Sequence, residues 1–115
     1  MSYQDRRREP RVDTAIDASL EGAEEVACRI ANLSRSGAMA ISNVPVPEMA
    51  QLQVRLSVPG EGNTPASTLV LEAAVVRCET RADGRYDLGL YFTNHTPASR
   101  VALETIVRTW TLSPA

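Results

Sequence analysis

The chain has 115 residues, of which 43% are hydrophobic and 4% aromatic, and its formal net charge is −2 at pH 7. This length predicts one globular domain with a modest core, and the small negative charge argues against a protein that binds polyanions through a bulk positive field. All 12 basic residues are arginines, so every cation offers a planar fork of donors to a phosphate or a base edge.

The first predicted element is a polar arm over residues 1–12. Its arginines share one short stretch: Arg6, Arg7, Arg8 and Arg11. Pro10 prevents a regular helix or a central strand there, and an unpaired guanidinium is costly to bury. We therefore expect a flexible N-terminal arm, with side chains in water or against an anion, followed by a folded unit over residues 13–112.

Alternation of apolar and polar residues predicts the first strands. It runs from Thr14 to Leu20 and from Val26 to Ile30, and Glu21-Gly22 between them indicates a hairpin turn. The segment Asn32-Leu33-Ser34-Arg35-Ser36-Gly37 has turn composition, because its Asn and Ser side chains can bond nearby backbone and its glycine permits a positive φ. A short third strand is expected over 38–41.

Three further strands follow. Residues 51–58 alternate most cleanly, which predicts a strand with one buried and one wet face. Residues 68–78 form a long apolar strand whose phase shifts near Ala73-Ala74, and this shift predicts a bulge of the kind that curves a sheet into a barrel. A turn at Ala82-Asp83-Gly84 then leads to the sixth strand, over 86–92.

The periodicity finally becomes helical, which predicts a helix over 97–111. Thr96 is suited to the N-cap position, and Glu104 and Arg108 are spaced for an i, i+4 ion pair. One apolar stripe comprises Leu103, Ile106, Val107 and Trp110. The predicted fold is therefore all-β with one helix: a six-stranded antiparallel β-barrel with a C-terminal α-helix against it.

The sequence contains no recognisable pattern of catalytic or metal-ligating residues. His95 is the single histidine and is interpreted as a solvated loop residue. Cys28 and Cys78 are too few for a zinc site, which needs four ligands, and we expect them reduced and half-buried. We predict no catalytic residues, no metal and no cofactor.

Nothing in the sequence predicts export or a membrane span. Met1 is followed by polar residues, and no apolar run approaches 18 residues. A cytoplasmic protein without membrane insertion is therefore expected.

Two segments together match a known signature. Arg7-Arg8-Glu9-Pro10-Arg11 matches the pattern RxxxR, and Asn32-Leu33-Ser34-Arg35-Ser36-Gly37 matches [D/N]xSxxG. With the strand Tyr86–Phe92, they make the sequence similar, from about Asp5 to Trp110, to the PilZ domain family, the bacterial receptor modules for cyclic di-GMP. The resemblance implies the PilZ-like split barrel and no enzymatic activity.

The resemblance also implies a binding set: Arg6, Arg7, Arg8, Arg11, Asn32, Ser34 and Gly37. Arg7 and Arg11 would hold the phosphates and guanine edges of cyclic di-GMP. Asn32 and Ser34 would hydrogen-bond a guanine base and a nearby phosphate. Gly37 would keep the turn tight and leave room for the ligand.

Arg6 directly precedes the RxxxR motif. In this family a basic residue at that position tends to go with binding of an intercalated ligand dimer. Arg8 would add a stacking or phosphate contact. Ordering the arm costs roughly 1–2 kcal/mol per residue, which charge-assisted hydrogen bonds of about 1.5–3 kcal/mol each would offset. We expect the arm to order on binding and the new surface to signal to a protein effector in trans, in motility or biofilm regulation. A monomer and a weak dimer are both compatible with the sequence.

Three interpretations compete with that of a cyclic di-GMP receptor. A PilZ-fold adaptor that acts only through protein partners would bind cyclic di-GMP weakly or not at all. A small nucleic-acid-binding barrel would need a positive face and stacking aromatics, against which the composition argues. A solubilising tail would make the arginines of the arm dispensable.

Overall fold

Six strands and one helix make up the part of the chain that the structure describes. The computed structural model describes residues 11–22, 24–58, 60, 63, 65–94 and 96–112, with side chains as far as Thr109. The elements are β1 (Val12–Glu21), β2 (Glu25–Leu33), β3 (Gly37–Ser42), β4 (Gln51–Val58), β5 (Ser67–Thr80), β6 (Tyr86–Asn94) and α1 (Pro97–Leu112). Arg6, Arg7, Arg8 and His95 lie outside the described residues.

The strands close into an antiparallel barrel in the order β1-β2-β3-β6-β5-β4. This confirms the predicted six-stranded barrel with a C-terminal helix. β1 begins at Val12, which is buried and belongs to the core. Closure gives each of the six strands a neighbour on both sides, although β1 pairs with β4 only over its last four residues.

The barrel interior is filled by the inward-facing apolar side chains that the alternation predicted. The largest fully buried side chains on these strands are Phe92, Ile16, Leu20, Ile30, Leu56 and Leu88, and they are joined by Leu33 beside the turn and by Leu103 from the helix. The predicted bulge in the fifth strand is also present, because β5 shifts register against β6 between Glu72 and Ala73 and again between Val75 and Arg77.

The helix begins with a reciprocal cap. Thr96 Oγ1 accepts a hydrogen bond from the Ser99 backbone N–H at 3.1 Å, and Ser99 Oγ accepts one from the Thr96 N–H at 3.1 Å. Two donors of the first turn are thereby satisfied. The apolar stripe of α1 is buried as predicted at Leu103, Ile106 and Val107 and joins the barrel core beside β1 and β5. The side chain of Trp110 lies outside the described residues.

The antiparallel order gives the barrel two distinct ends. At one end, here called the turn end, the chain enters at Arg11, the Asn32–Gly37 turn joins β2 to β3, and β6 leads into α1. At the other, called the hairpin end, lie the β1–β2 connection, the segment 43–50 and the β5–β6 turn. The predicted glycine turn is found there, with Gly84 at φ 88°.

The two cysteines are half-buried on different strands and are free thiols. Burial raises the pKa of the Cys28 thiol to about 11, so Cys28 is protonated at neutral pH. A protonated thiol is a poor nucleophile and a poor metal ligand, which supports a packing role for Cys28.

Candidate functional site

The end of the arm and the Asn32–Gly37 turn meet at the turn end of the barrel. Asp13 pairs with Asn32 and Val12 with Leu33 in the β1–β2 register, which brings Arg11 beside the turn. Arg11 Nη1 donates a hydrogen bond of 2.6 Å to Asn32 Oδ1. The arginine is exposed and the asparagine half-buried. Two of the residues that the resemblance implied are therefore in direct contact, although 21 positions separate them.

The hydroxyl of Ser34 is used inside the turn. Ser34 is fully buried, its Oγ donates to the Gly37 carbonyl at 3.3 Å, and the Ser36 N–H donates to the same Oγ at 3.4 Å. The Ser34 N–H also donates to the Gly37 carbonyl, at 2.9 Å. This side chain therefore stabilises the turn, and a direct bond to a ligand would first require it to leave the Gly37 carbonyl.

Gly37 is required by a close backbone approach. A Cβ at this position would lie 2.3 Å from the Leu90 carbonyl oxygen on β6, a distance that real Cβ atoms do not adopt. A positive φ, which the turn composition predicted as the use of this glycine, is not found at Gly37; among described glycines Gly84 has one. The Ser36 carbonyl accepts a hydrogen bond from the Phe92 N–H at 2.9 Å. The turn is therefore held against β6 at Ser36 as well as at Gly37.

Arg35 joins the turn to the C-terminal helix. Its Nη1 lies 3.3 Å from Glu104 Oε2, and the two side chains are 49% and 41% exposed. The expected ion pair of Glu104 with Arg108 is not among the contacts of the described residues. Sequence reasoning missed the Arg35 contact because its two partners are 69 positions apart.

The turn end thus presents two guanidinium groups, one from Arg11, which contacts Asn32, and one from Arg35 within the turn. Guanidinium forks bind phosphate oxygens and the O6/N7 edge of guanine with paired hydrogen bonds. The Ser34 hydroxyl is buried and is not presented to solvent at this surface. No group of three or more His, Cys, Asp or Glu side chains among the described residues is arranged to hold a metal ion. The arrangement is suited to binding an anion.

The class of protein follows from this fold and from a comparison of sequences. The chain belongs to the PilZ domain family, whose family model matches residues 5–109. That match spans both the arginine-rich arm and the turn. No curated protein is detectably similar to the chain in sequence.

Solved structures share the fold at low identity. The PilZ domain of Escherichia coli YcgR with c-di-GMP gives a TM-score of 0.73 at 17% identity, over 92% of each chain. Bacillus subtilis MotI (DgrA), an inhibitor of motility, gives 0.78 at 19% identity over 92% of this chain and 51% of its own. Escherichia coli YcgR in complex with c-di-GMP gives 0.74 at 19% identity over 90% of this chain and 45% of its own. The chain therefore spans about half the length of MotI and of the longer YcgR chain.

In the described part of the chain, no helix is both long enough and apolar enough to span a bilayer.

Proposed function

We propose that this chain is a receptor for cyclic di-GMP that binds the nucleotide at the turn end. The observation that carries the proposal is the 2.6 Å hydrogen bond between Arg11 and Asn32, because it brings the two halves of the expected binding set together. Membership of the PilZ family and the fold shared with YcgR, which is seen with c-di-GMP, support the choice of ligand.

In this proposal, arginines supply the charge and the turn supplies the framework. Arg11, with Arg7 and Arg8 of the arm, binds phosphates and guanine edges through charge-assisted hydrogen bonds. Asn32 hydrogen-bonds a guanine base, while Ser34 and Gly37 hold the turn in the shape that presents it. Binding orders the arm, and arm and ligand together form the surface that a protein effector recognises in trans. Arg6 allows a second, intercalated nucleotide.

Calorimetric titration of cyclic di-GMP into the purified protein tests the proposal. Saturable binding is expected for the wild type and loss of most of it for Arg11→Ala, since each charge-assisted bond contributes about 1.5–3 kcal/mol. Arg85→Ala is the matched control, because it removes the same charge from the hairpin end, where Arg85 contacts Asp83. A stoichiometry near two ligands per chain would support the role of Arg6, and a stoichiometry near one would remove it.

A wild-type protein that gives no heat and no binding would overturn the receptor proposal. The alternative is then a PilZ-fold adaptor that acts through protein partners alone. Unchanged affinity in Arg11→Ala, with binding otherwise intact, would instead show that the nucleotide binds away from the turn end.

A further inference from the structure

A cavity of about 260 Å³ opens at the hairpin end, away from the Asn32–Gly37 turn. Apolar side chains from β1, β2, β4 and the segment 43–50 line it: Leu20, Val26, Val46, Ala50 and Leu52. Gly22 and Glu24 are exposed and also line it, so the cavity reaches solvent beside the β1–β2 connection. It is large enough to accept an apolar side chain from another molecule.

Met49, next to the cavity-lining Ala50, has a backbone conformation that its residue type disfavours. Its φ is 72°, the one positive φ at a non-glycine position among the described residues, and glycine adopts this conformation at lower cost. Hydrogen bonds of 2.7 Å from the Met49 N–H to the Val75 carbonyl and of 2.9 Å from the Val75 N–H to the Ala50 carbonyl hold it there. The strained backbone places in water a methionine side chain that is 79% exposed, which folding does not explain. Methionine is an adaptable contact residue at binding surfaces.

The elements around the cavity carry an excess of negative charge. Four carboxylates lie at the hairpin end of these elements and their connections: Glu21, Glu24, Glu25 and Glu48. Arg55 pairs with Glu21 at 2.9 Å, and Glu24 and Glu48 have no arginine in ion-pair contact among the residues that the structure describes. Glu21 and Glu25 stand directly opposite each other in the β1–β2 register, and the positive charge of Arg55 is attracted to both. Glu24 and Glu48 are therefore the carboxylates available to a cationic partner.

We propose that the hairpin end docks a peptide segment of a partner protein that inserts an apolar side chain into the cavity and carries Arg or Lys on either side. The apolar lining and Met49 supply the hydrophobic contact, and the carboxylates select the charge of the partner. The surface is separate from the turn end, so this docking does not depend on the proposed nucleotide binding.

Selection from a phage-displayed library of random 12-residue peptides on the immobilised full chain, without cyclic di-GMP, tests the proposal. Enriched peptides are expected to combine an apolar residue with flanking Arg or Lys. A synthetic copy, followed by fluorescence polarisation, should bind Glu24→Arg about tenfold or more weakly. Asp13→Arg is the control, since it makes the same charge change at the turn end.

A second variant tests the cavity itself. A Cβ at Gly22 would lie 3.5 Å from Leu52 Cβ, an ordinary contact, so Gly22→Leu should fill the mouth of the cavity in a folded protein and abolish peptide binding. Thermal unfolding establishes that this variant is folded. Arg11→Ala should keep full affinity for the peptide, which separates this surface from the proposed nucleotide site.

Any one of four results would overturn the proposal. The first is the absence of any enriched peptide, and the second is enrichment of peptides without basic residues. The third is equal affinity for wild type, Glu24→Arg and Gly22→Leu. If sedimentation shows a dimer of the wild type that Gly22→Leu dissociates, the occupant is a second copy of the chain, and the assignment of a peptide partner is wrong.

Discussion

At the level of single residues, Gly37 shows how a binding motif can be constrained by packing. Its missing side chain gives room to the Leu90 carbonyl oxygen, which an added Cβ would approach to 2.3 Å. Gly37→Ala is therefore expected to destabilise the protein by about 1–3 kcal/mol through overpacking, measured as the free energy of unfolding in urea. Gly22→Ala is the control, since its Cβ meets ordinary contacts, and it should stay within about 0.5 kcal/mol of wild type. A fully stable Gly37→Ala would show that β3 and β6 can separate at little cost.

At Met49 the expected effect on stability is the opposite, because replacement by glycine should stabilise the protein. Relief of the left-handed conformation is worth about 1–2 kcal/mol, and the added backbone freedom of glycine offsets about 0.5–1 kcal/mol of it. Because the side chain is mostly exposed, little burial is lost, so Met49→Gly should raise the unfolding free energy slightly. Met49→Ala keeps the strained φ and should not be stabilised. Equal stability of the two variants would mean that the strain at Met49 is no larger than the entropy cost of glycine, and this result would contradict the prediction.

The sequence identified most of these residues but not the reason for each. Arg11, Asn32, Ser34 and Gly37 were all predicted by the two motifs, and the structure describes them together at one end. The use of Gly37 depends on the pairing of β3 with β6, which the motif does not encode. The sequence of the turn also does not determine whether the Ser34 hydroxyl faces a ligand or the Gly37 carbonyl. In the structure it faces the Gly37 carbonyl.

At the level of elements, local pattern was sufficient. Strands and helix were predicted because each has one apolar face, and that face must be buried whatever the neighbours are. Contacts between distant elements were harder to predict. Glu104 was assigned to Arg108 by helical spacing, whereas the fold supplies Arg35 from the β2–β3 turn.

The contact between Arg35 and Glu104 links the candidate site to the helix, and its strength can be measured. A double-mutant cycle with Arg35→Gln and Glu104→Gln should give a coupling of about 0.2–1 kcal/mol, because both side chains are largely solvated. The coupling should fall as salt is added. A parallel cycle with Arg108→Gln and Glu104→Gln is the control and should show weaker coupling. The reverse order would show that the helical pair forms in solution and that the turn is not tied to α1.

At the level of the whole molecule, the two ends of the barrel have different chemistry. The turn end carries Arg11 and Arg35 beside a rigid turn, while the hairpin end combines an apolar cavity with carboxylates. In the two proposals made above, the nucleotide and the partner peptide bind at different ends of the barrel. The overall charge of −2 does not indicate where on the molecule the charges lie.

The acid sensitivity of the molecule should arise at the hairpin end. There the Arg85 side chain and backbone N–H, with Arg81, hold the pKa of Asp83 well below its usual range, and the hydrogen bond from Arg55 lowers the pKa of Glu21. A carboxyl group whose pKa is lower in the folded than in the unfolded state stabilises the fold above its unfolded pKa of about 4. That contribution is lost as the pH falls toward the folded value.

The urea concentration at the unfolding midpoint is therefore expected to decrease as the pH is lowered from 5 to about 2. The decrease should be less steep in the double variant Glu21→Gln/Asp83→Asn. The variant should be less stable than wild type at pH 7, and the two should converge in acid, where the wild-type carboxylates are also neutral. Glu48→Gln is the control, since that carboxylate contacts no arginine among the described residues, and it should keep the wild-type slope. If the urea midpoint of the double variant changes with pH as steeply as that of the wild type, the acid-sensitive groups lie elsewhere in the chain. The two ion pairs would then either persist in the unfolded state or contribute nothing to the stability of the folded state.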